Sequence, residues 1–424
     1  MFTSHPWLML AVMLAMGLAI LTEALWRWRK TRELPLEDIV SGIGIGGASQ
    51  LVAVYLQVPG LLAYDALWQH ARWFDWDTGT AALWLGTLLL YDFCYYWLHR
   101  AGHQIHWLWA LHGVHHQGEL YHLAAGLRQS LFSPLVSWLF YLPLAILGVP
   151  PSVFMVIALV HIAYQFWIHT EAIGRLGWLD QVLVTPENHR IHHASDDVFL
   201  DKNYGGMLII WDKLFGTYAQ RLDDHPLTYG TRSPLRSFSL WDANLQIWRS
   251  MLRQARALPR WQQGWQLLWQ APGWWPAQTA KPQTTETTWQ AGAAPFRQPQ
   301  TPAAQAFLLW QLAGLLLIGW VSLCINLSLH TGWQIALHGW LLWGFSNLCY
   351  RIGDARLATR REWSRLALLA LPLAAFSLVM PDWFYTAAFT TPWLLLSGLA
   401  CIMSAARLWL LSGPQSAHGK ISHH

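Results

Sequence analysis

Residues 99–116, HRAGHQIHWLWALHGVHH, decide the fold of this 424-residue chain. The stretch contains a pair of histidines four residues apart and then a triplet at spacings of three and one: His99, His103, His112, His115 and His116. Side chains at i, i+3 and i+4 share one face of an α-helix, so these imidazoles can converge from neighbouring helical segments. The segment NHRIHH at 188–193 repeats the triplet with His189, His192 and His193.

The composition around these motifs is that of a membrane protein. Apolar residues make up 54% of the chain, charged residues only 12%, and there are 31 tryptophans. Tryptophan is enriched at membrane interfaces because its ring is apolar and its N–H is polar. The net charge is +4, with basic residues clustered between apolar runs, which indicates topology signals and not nucleic-acid binding. We therefore expect an all-α, multi-pass transmembrane protein.

The apolar runs predict about nine membrane spans. They cover approximately 7–25, 39–58, 81–98, 131–149, 152–169, 304–327, 333–349, 365–380 and 384–411. Basic residues at 27–32 follow the first run and mark a cytoplasmic face by the positive-inside rule. Counting crossings from there places every motif histidine at the cytoplasmic ends of the helices. Gly42, Gly44 and Gly47 form a formal GxGxxG, but with no preceding strand they indicate close helix packing.

This pattern divides the chain into four predicted segments: N-terminal spans at 1–80, a histidine-rich domain at 81–218, a cytoplasmic or interfacial segment with a linker at 219–302, and C-terminal spans at 303–424. Two stretches of the third segment, 240–252 and 261–269, are amphipathic. They are compatible both with helices lying in the membrane interface and with helices packed on a soluble lobe.

The histidine set indicates a site for two metal ions. Imidazole suits zinc, copper, iron and nickel, whereas a structural zinc needs four ligands and usually recruits cysteine. Eight imidazoles are enough for two ions. On the run that precedes the third cluster, His161, Gln165 and His169 share a helix face. We expect His169 to be a ninth ligand, Gln165 to hold a hydrogen bond around the site, and His161 to be a satisfied core histidine.

The order HxxxH, HxxHH, HxxHH resembles the fatty acid hydroxylase/sterol desaturase superfamily of integral membrane di-iron enzymes. Longer words are similar to the alkylglycerol monooxygenase family within it: YYWLHRAGH at 95–103, LRQS at 127–130, YQFWIHTE at 164–171 and DKNYGGMLIIWDKLFGTY at 201–218. The resemblance is dense over 90–218 and weaker elsewhere. It implies a lipid monooxygenase that hydroxylates the carbon next to the ether oxygen of alkylglycerols and releases a fatty aldehyde.

The resemblance also implies the cofactors, partners and site residues. The cofactors are two iron ions and tetrahydrobiopterin, and the partners are O2, a lipid substrate from the bilayer, and an electron donor that is a reduced pterin or a redox protein.

The implied metal ligands are His99, His103, His112, His115, His116, His169, His189, His192 and His193. Glu119, Tyr121 and Glu171 are the expected catalytic residues. Arg128 and Lys202 are candidates for binding a lipid head group or cofactor, with topology anchoring as the alternative. The expected location is the bacterial inner membrane or the endoplasmic reticulum.

Two alternatives stay open. One is a hydroxylase or desaturase of a sterol, carotenoid or fatty acyl lipid, which would share the metal site and differ in the substrate cavity. The other is a histidine-rich metal transporter or sensor. A transporter would be expected to carry ionisable residues along a path through the bilayer, whereas the predicted ligands gather at one face.

Overall fold

The computed structural model describes residues 6–222, 225–277, 279, 290, 292–325, 331–353, 361 and 364. Across these residues the chain is helical, with two isolated β-bridges and no strand, which confirms the predicted all-α class. The predicted spans at 365–380 and 384–411 lie outside the described residues. The chain forms two compact units, Trp7–Arg297 and a second comprising Met1–Pro6 with Gln298–His424.

The first unit contains twelve described α-helices and three short 3₁₀ turns, and it carries all the predicted site residues. The helices are α1 Pro6–Thr31, α2 Leu36–Leu56, α3 Val58–Ala71, α4 Ala81–Gln104, α5 His106–His116, α6 Leu123–Gly126, α7 Leu142–Ile146, α8 Pro151–Trp167, α9 Pro186–His192, α10 Ile210–Leu214, α11 Leu240–Ala257 and α12 Trp261–Trp269. The 3₁₀ turns are Ser133–Leu135, Ser137–Tyr141 and Gly177–Gln181.

The second unit contributes two described helices, α13 Pro302–Ile325 and α14 Thr331–Gly353, which match the predicted runs at 304–327 and 333–349. The two helices pack against each other. Leu315 of α13 and Leu341 and Phe345 of α14 are buried.

Three helices of the described part are long and apolar enough to cross a membrane. They are Ala11–Thr31 within α1, Leu36–Leu56 (α2) and Pro302–Trp320 within α13. A helix of about 20 residues spans the hydrocarbon core of a bilayer. The chain is accordingly a membrane protein. The predicted third span lies in α4, which continues to Gln104 and carries the first two motif histidines in its last turns.

The predicted helix over 131–149 differs from the structure, which has two 3₁₀ turns and the short helix α7 in its place. Pro134 and Pro143 lack the amide hydrogen that a continuous helical ladder needs, so the segment is broken into turns. Gly148 then reverses the chain at φ +89, a conformation that favours glycine, and α8 starts at Pro151.

Helix α2 contacts the segment that follows the second histidine cluster. A Cβ on Gly42 would lie 2.6 Å from the Ala124 carbonyl oxygen, and one on Gly46 would clash with the Leu127 carbonyl. The prediction of close packing is therefore confirmed at Gly42, while the second close contact is made by Gly46, which is not one of the GxGxxG glycines. The consequence is that α2 lies directly against the backbone that follows the second cluster.

Helix α11 forms one side of the first unit. The Ser239 hydroxyl caps it by accepting a hydrogen bond from the Asp242 amide at 3.3 Å. Its face with Leu240 and Met251 is buried, and α11 packs on α5, so this helix is docked on the lobe. Helix α12 also packs on α11 and α5 through the buried Leu267, while its Trp261 is 78% exposed.

Candidate metal centre

The nine histidines predicted as ligands converge in the structure as two groups. The five-histidine group contains His99, His103, His112, His116 and His192. The four-histidine group contains His115, His169, His189 and His193. Within each group the candidate ligand nitrogens all lie within 4.8 Å of one another. Eight of the nine are buried and His112 is partly exposed.

The five-histidine group is assembled by the ends of α4, α5 and α9. His116 lies at its centre, with its Nε2 atom 3.0 Å from His112 Nε2 and 3.2 Å from both His103 Nε2 and His192 Nε2. His99 completes the group, its ring centre 4.3 Å from that of His192. The three contacts all involve the same nitrogen of His116, so a single proton cannot satisfy all of them. Imidazole nitrogens placed in this way are suited to a shared cation.

The four-histidine group combines His115 of α5, His189 of α9 and His193 directly after α9 with His169, which lies two residues after α8. His169 Nε2 lies 3.1 Å from His115 Nε2 and 3.0 Å from His189 Nε2, and His193 Nε2 lies 3.2 Å from His189 Nε2. Neighbours on α5 face different groups, His115 this one and His116 the other. The rings of His116 and His193 stack at 4.3 Å, so the two groups are adjacent.

Hydrogen bonds to main-chain carbonyls fix the orientation of four rings. The Nδ1 atoms of His99, His192, His115 and His169 donate to the carbonyl oxygens of Tyr204, Lys202, Arg128 and Gln165 at 2.8, 2.8, 3.1 and 2.7 Å. A proton held on Nδ1 leaves the Nε2 lone pair free to bind a metal. His99 Nε2 is buried and has no hydrogen-bond partner, which indicates an acceptor site for a cation.

Burial favours the neutral form of the His115, His116, His189 and His193 imidazoles. It lowers the pKa of His115 to about 4, and burial together with neighbouring imidazoles lowers the pKa of His116, His189 and His193 well below the ordinary value. Neutral imidazole is the form that binds a metal, and iron is among the ions that it suits. The residues therefore fit metal binding in two adjacent positions.

Of the three expected catalytic residues, Tyr121 contacts the four-histidine group, whereas Glu171 and Glu119 contact other side chains. Tyr121 is closest: its hydroxyl donates to the Ile168 carbonyl at 2.8 Å and its ring stacks on His169 at 5.8 Å. Burial raises the pKa of Tyr121 well above its ordinary value, so it keeps its proton. Glu171 pairs with Arg27 at 3.2 Å.

Glu119 lines a separate cavity of about 270 Å3, together with Tyr229 and Arg236. Its carboxylate accepts from the Phe296 amide at 2.8 Å and lies 3.5 Å from Arg236. Burial raises the pKa of Glu119, while the Phe296 amide and Arg236 oppose that shift. The ring of Tyr229 stacks on Tyr121 at 5.3 Å, so aromatic contacts connect the cavity to the four-histidine group.

Arg128 has an interior role. Its side chain is buried, and it donates to the Val114 carbonyl at 2.9 Å and to Gln117 Oε1 at 3.1 Å. These bonds hold the end of α5, while the Arg128 carbonyl orients His115. Lys202 likewise contributes through its backbone, as the acceptor for His192.

His161 is a satisfied core histidine, as predicted. It is fully buried, its Nε2 atom lies 2.7 Å from Asp92 Oδ1, and its Nδ1 atom lies 2.6 Å from Gln165 Nε2. The Gln165 side chain thus contacts His161, while the Gln165 carbonyl accepts from His169. The hydrogen bond expected of Gln165 around the site is made by its backbone.

Sequence reasoning missed Glu23, a buried carboxylate on α1. One of its oxygens accepts from the Leu123 amide at 2.7 Å and the other from the Thr170 hydroxyl. Asp38 on α2 lies 2.7 Å from His122 Nε2. The signal was visible, because a carboxylate inside an apolar run is costly unless it has a partner.

The residues that carry this geometry match a known family model. Residues 84–217 match the model described as fatty acid hydroxylase. No solved structure matches the chain significantly.

Curated relatives extend the match beyond that domain. The chain is 32% identical over 374 residues to alkylglycerol monooxygenase of Danio rerio, covering 85% of this chain and 81% of the relative. It is 37% identical over 241 residues to alkylglycerol monooxygenase of Homo sapiens, covering 57% of this chain and 54% of the relative. An ornithine lipid hydroxylase, OlsE of Rhizobium tropici, is 31% identical over 198 residues, or 45% of this chain and 59% of the relative.

The zebrafish match spans most of both proteins and includes the segments that supply all nine histidines, since only a small part of either chain lies outside it. The chain belongs to the alkylglycerol monooxygenase family and carries a fatty acid hydroxylase domain.

Proposed function

We propose that this protein is a membrane-bound, O2-dependent monooxygenase that hydroxylates the carbon next to the ether oxygen of alkylglycerol-type lipids. One oxygen atom enters the C–H bond, and the other leaves as water with two electrons and two protons from a reductant. The hydroxylated carbon then loses its ether bond to give a fatty aldehyde and a glycerol. The observation that carries the proposal is the pair of adjacent histidine groups in a chain 32% identical to alkylglycerol monooxygenase.

We assign the two histidine groups to two iron ions. The five-histidine group and the four-histidine group would hold one ion each. When bound, the ions would supply the activation of O2 and the oxidation of a C–H bond, which no amino-acid side chain performs. The protein fixes the ligand nitrogens through the carbonyl contacts of His99, His192, His115 and His169, and burial excludes water from them.

The reductant is proposed to be a reduced pterin bound in the cavity beside Glu119. That cavity is lined by a carboxylate, a guanidinium and the hydroxyls of Thr228 and Thr231, which suit a ligand rich in donors and acceptors. Support for this position comes from Tyr229, which lines the cavity and stacks on Tyr121. Tyr121 would hold the reductant cavity next to the four-histidine group, because its ring contacts both Tyr229 and His169.

We further propose about nine membrane spans with the metal site on the cytoplasmic side of a bacterial inner membrane or the endoplasmic reticulum. The basic end of α1 supports this orientation, because Arg27 pairs with Glu171, two residues after the candidate ligand His169. Cytoplasmic loops carry an excess of lysine and arginine. A site joined to the basic end of the first span would therefore face the cytoplasm.

A lipid hydroxylase that leaves its substrate intact is the second candidate. It is favoured by the 31% identity to an ornithine lipid hydroxylase. The two functions share the metal site and differ in the atom that is oxidised.

The test incubates membranes that contain the protein with an alkylglycerol, O2 and tetrahydrobiopterin, and measures fatty aldehyde. We expect aldehyde from the wild-type chain, none from His115→Ala, and wild-type yield from His70→Ala, since His70 is an exposed histidine outside the motifs. An ester-linked analogue should give no aldehyde. A stable hydroxylated lipid without aldehyde would favour the second candidate, and absence of any oxidised lipid would refute both.

A further inference from the structure

One short loop reaches three ligands of the five-histidine group. The Lys202 carbonyl accepts from His192 Nδ1 and the Tyr204 carbonyl accepts from His99 Nδ1, each at 2.8 Å. The Asp201 carboxylate lies 3.4 Å from His103 Nδ1. These ligands come from two different helices, α4 and α9. Residues 201–205 are thus the one segment of the described chain that contacts the Nδ1 side of all three.

The backbone of this loop adopts a conformation that few residues accept. Asp201 and Asn203 have φ values of 58 and 57, in the left-handed region. Asparagine and aspartate tolerate that region better than other residues with a side chain. Because Asp201 and Asn203 on either side of Lys202 are both left-handed, the carbonyls of Lys202 and Tyr204 are available to neighbouring helices. A conformation of this kind persists only when surrounding contacts enforce it.

Asn203 supplies the first set of enforcing contacts. It is fully buried, and its amide group donates to the carbonyls of Asn188 at 3.1 Å and Ala219 at 2.9 Å. Its side-chain oxygen accepts from the Ala219 amide at 2.8 Å. Both amide hydrogens and the oxygen are therefore used, and the loop is attached to α9 and to the segment after α10.

Asp212 supplies the second set. It is fully buried, and none of its described hydrogen bonds is to a histidine of the two groups. One carboxylate oxygen accepts from the Tyr204 amide at 2.7 Å and the Thr217 hydroxyl at 2.6 Å, and the other accepts from the Gly205 amide at 2.7 Å. The peptide units on both sides of Tyr204 are fixed in this way, and with them the carbonyl that orients His99.

We propose that residues 201–205 are an orienting loop for the metal in the five-histidine group, with Asn203 and Asp212 as its positioning residues. The proposal rests on the proposed function, because it requires that the histidines hold metal. The loop selects the tautomer of His99 and His192 with the proton on Nδ1, so that Nε2 faces the site. Outer contacts of this type typically change metal affinity 10- to 100-fold.

The test titrates the metal-depleted, full-length protein in detergent with Co2+ and follows its visible absorption. For the wild-type chain we expect two Co2+ per chain. For Asp212→Asn, one of the two affinities should fall 10- to 100-fold and the other should stay unchanged. Asp197→Asn is the matched control, because the side chain of Asp197 is 85% exposed and pairs only with Arg232 among its described contacts. That control should titrate as the wild type does.

A second variant keeps the test decisive if Asp212→Asn does not fold. Asn203→Gly permits the left-handed backbone and removes the three side-chain hydrogen bonds, and we expect the same selective loss. Unchanged binding at both sites, or equal weakening of both, would overturn the orienting role. Failure of the wild-type chain to bind two Co2+ would instead refute the di-metal assignment itself.

Discussion

Replacement of Arg128 by methionine tests whether this buried arginine organises the metal centre. Arg128→Met keeps the apolar stem and removes the guanidinium, leaving the Val114 carbonyl and Gln117 Oε1 without the donors now at 2.9 and 3.1 Å. An unpaired buried acceptor costs about 1–3 kcal/mol. Loss of both donors predicts that the free energy of unfolding falls by about 2–6 kcal/mol.

The substitution should also reduce the iron content, since the Arg128 carbonyl accepts a hydrogen bond from His115 at 3.1 Å. The assay is denaturant unfolding of the detergent-solubilised chain, with iron content measured in parallel. Arg249→Met is the control, because Arg249 is 54% exposed and an exposed ion pair is worth about 1 kcal/mol or less.

A change in Arg128→Met no larger than that in the control would refute the interior role. Unaltered stability with a raised KM for the lipid would instead favour the head-group contact that the sequence first suggested for this arginine.

Three further perturbations address the two histidine groups and the first span. For the metal-depleted chain, the free energy of unfolding should be largest above about pH 6.5 and should fall as the pH drops towards 4. The reason is that His115 is protonated in the unfolded state below about pH 6.5 but stays neutral in the folded state down to its pKa of about 4. In a series of unfolding curves at different pH values, this histidine alone corresponds to about 3 kcal/mol. A flat profile across that range would contradict the neutral, buried site. Gly126→Ala would place a Cβ 2.8 Å from the His169 ring and should release metal from the four-histidine group, whereas Gly86→Ala, where the Cβ meets open space, should leave the metal content unchanged. Glu23→Gln weakens the two acceptors that bind the Leu123 amide and the Thr170 hydroxyl, and it should lower the free energy of unfolding by about 1–2 kcal/mol without altering membrane insertion. A stability equal to that of the wild type would show that the first span does not help to hold the site.

The convergence of the histidines could be predicted, because it follows from helical spacing. His112, His115 and His116 recur at i, i+3 and i+4 on α5, and the same spacing on α9 presents a second set. The all-helical class followed from the apolar runs in the same way.

The division into five and four could not be read from spacing. His115 and His116 are neighbours in sequence and face different groups, and which partner each meets depends on how α9 packs across the end of α5. That packing is set by long-range contacts such as those of Asn203 with Asn188, which no local pattern encodes.

The roles of single polar residues were also beyond local reasoning. Arg128 and Lys202 were visible as basic residues near the motifs, but it is their backbone carbonyls that contact His115 and His192, two of the histidines predicted as ligands. A carbonyl is present at every position, so only the three-dimensional path of the chain shows which one orients a ring. The helix expected over 131–149 failed for a local reason, the two prolines within it.

The central claim, that the histidine groups hold two iron ions, is tested most directly by the iron stoichiometry of the purified full-length protein. Elemental analysis should give two iron ions per wild-type chain and one in His99→Ala or His169→Ala, since each variant removes a ligand from a different group. A wild-type value of one or none, or loss of both ions from either single variant, would contradict the assignment of one ion to each group.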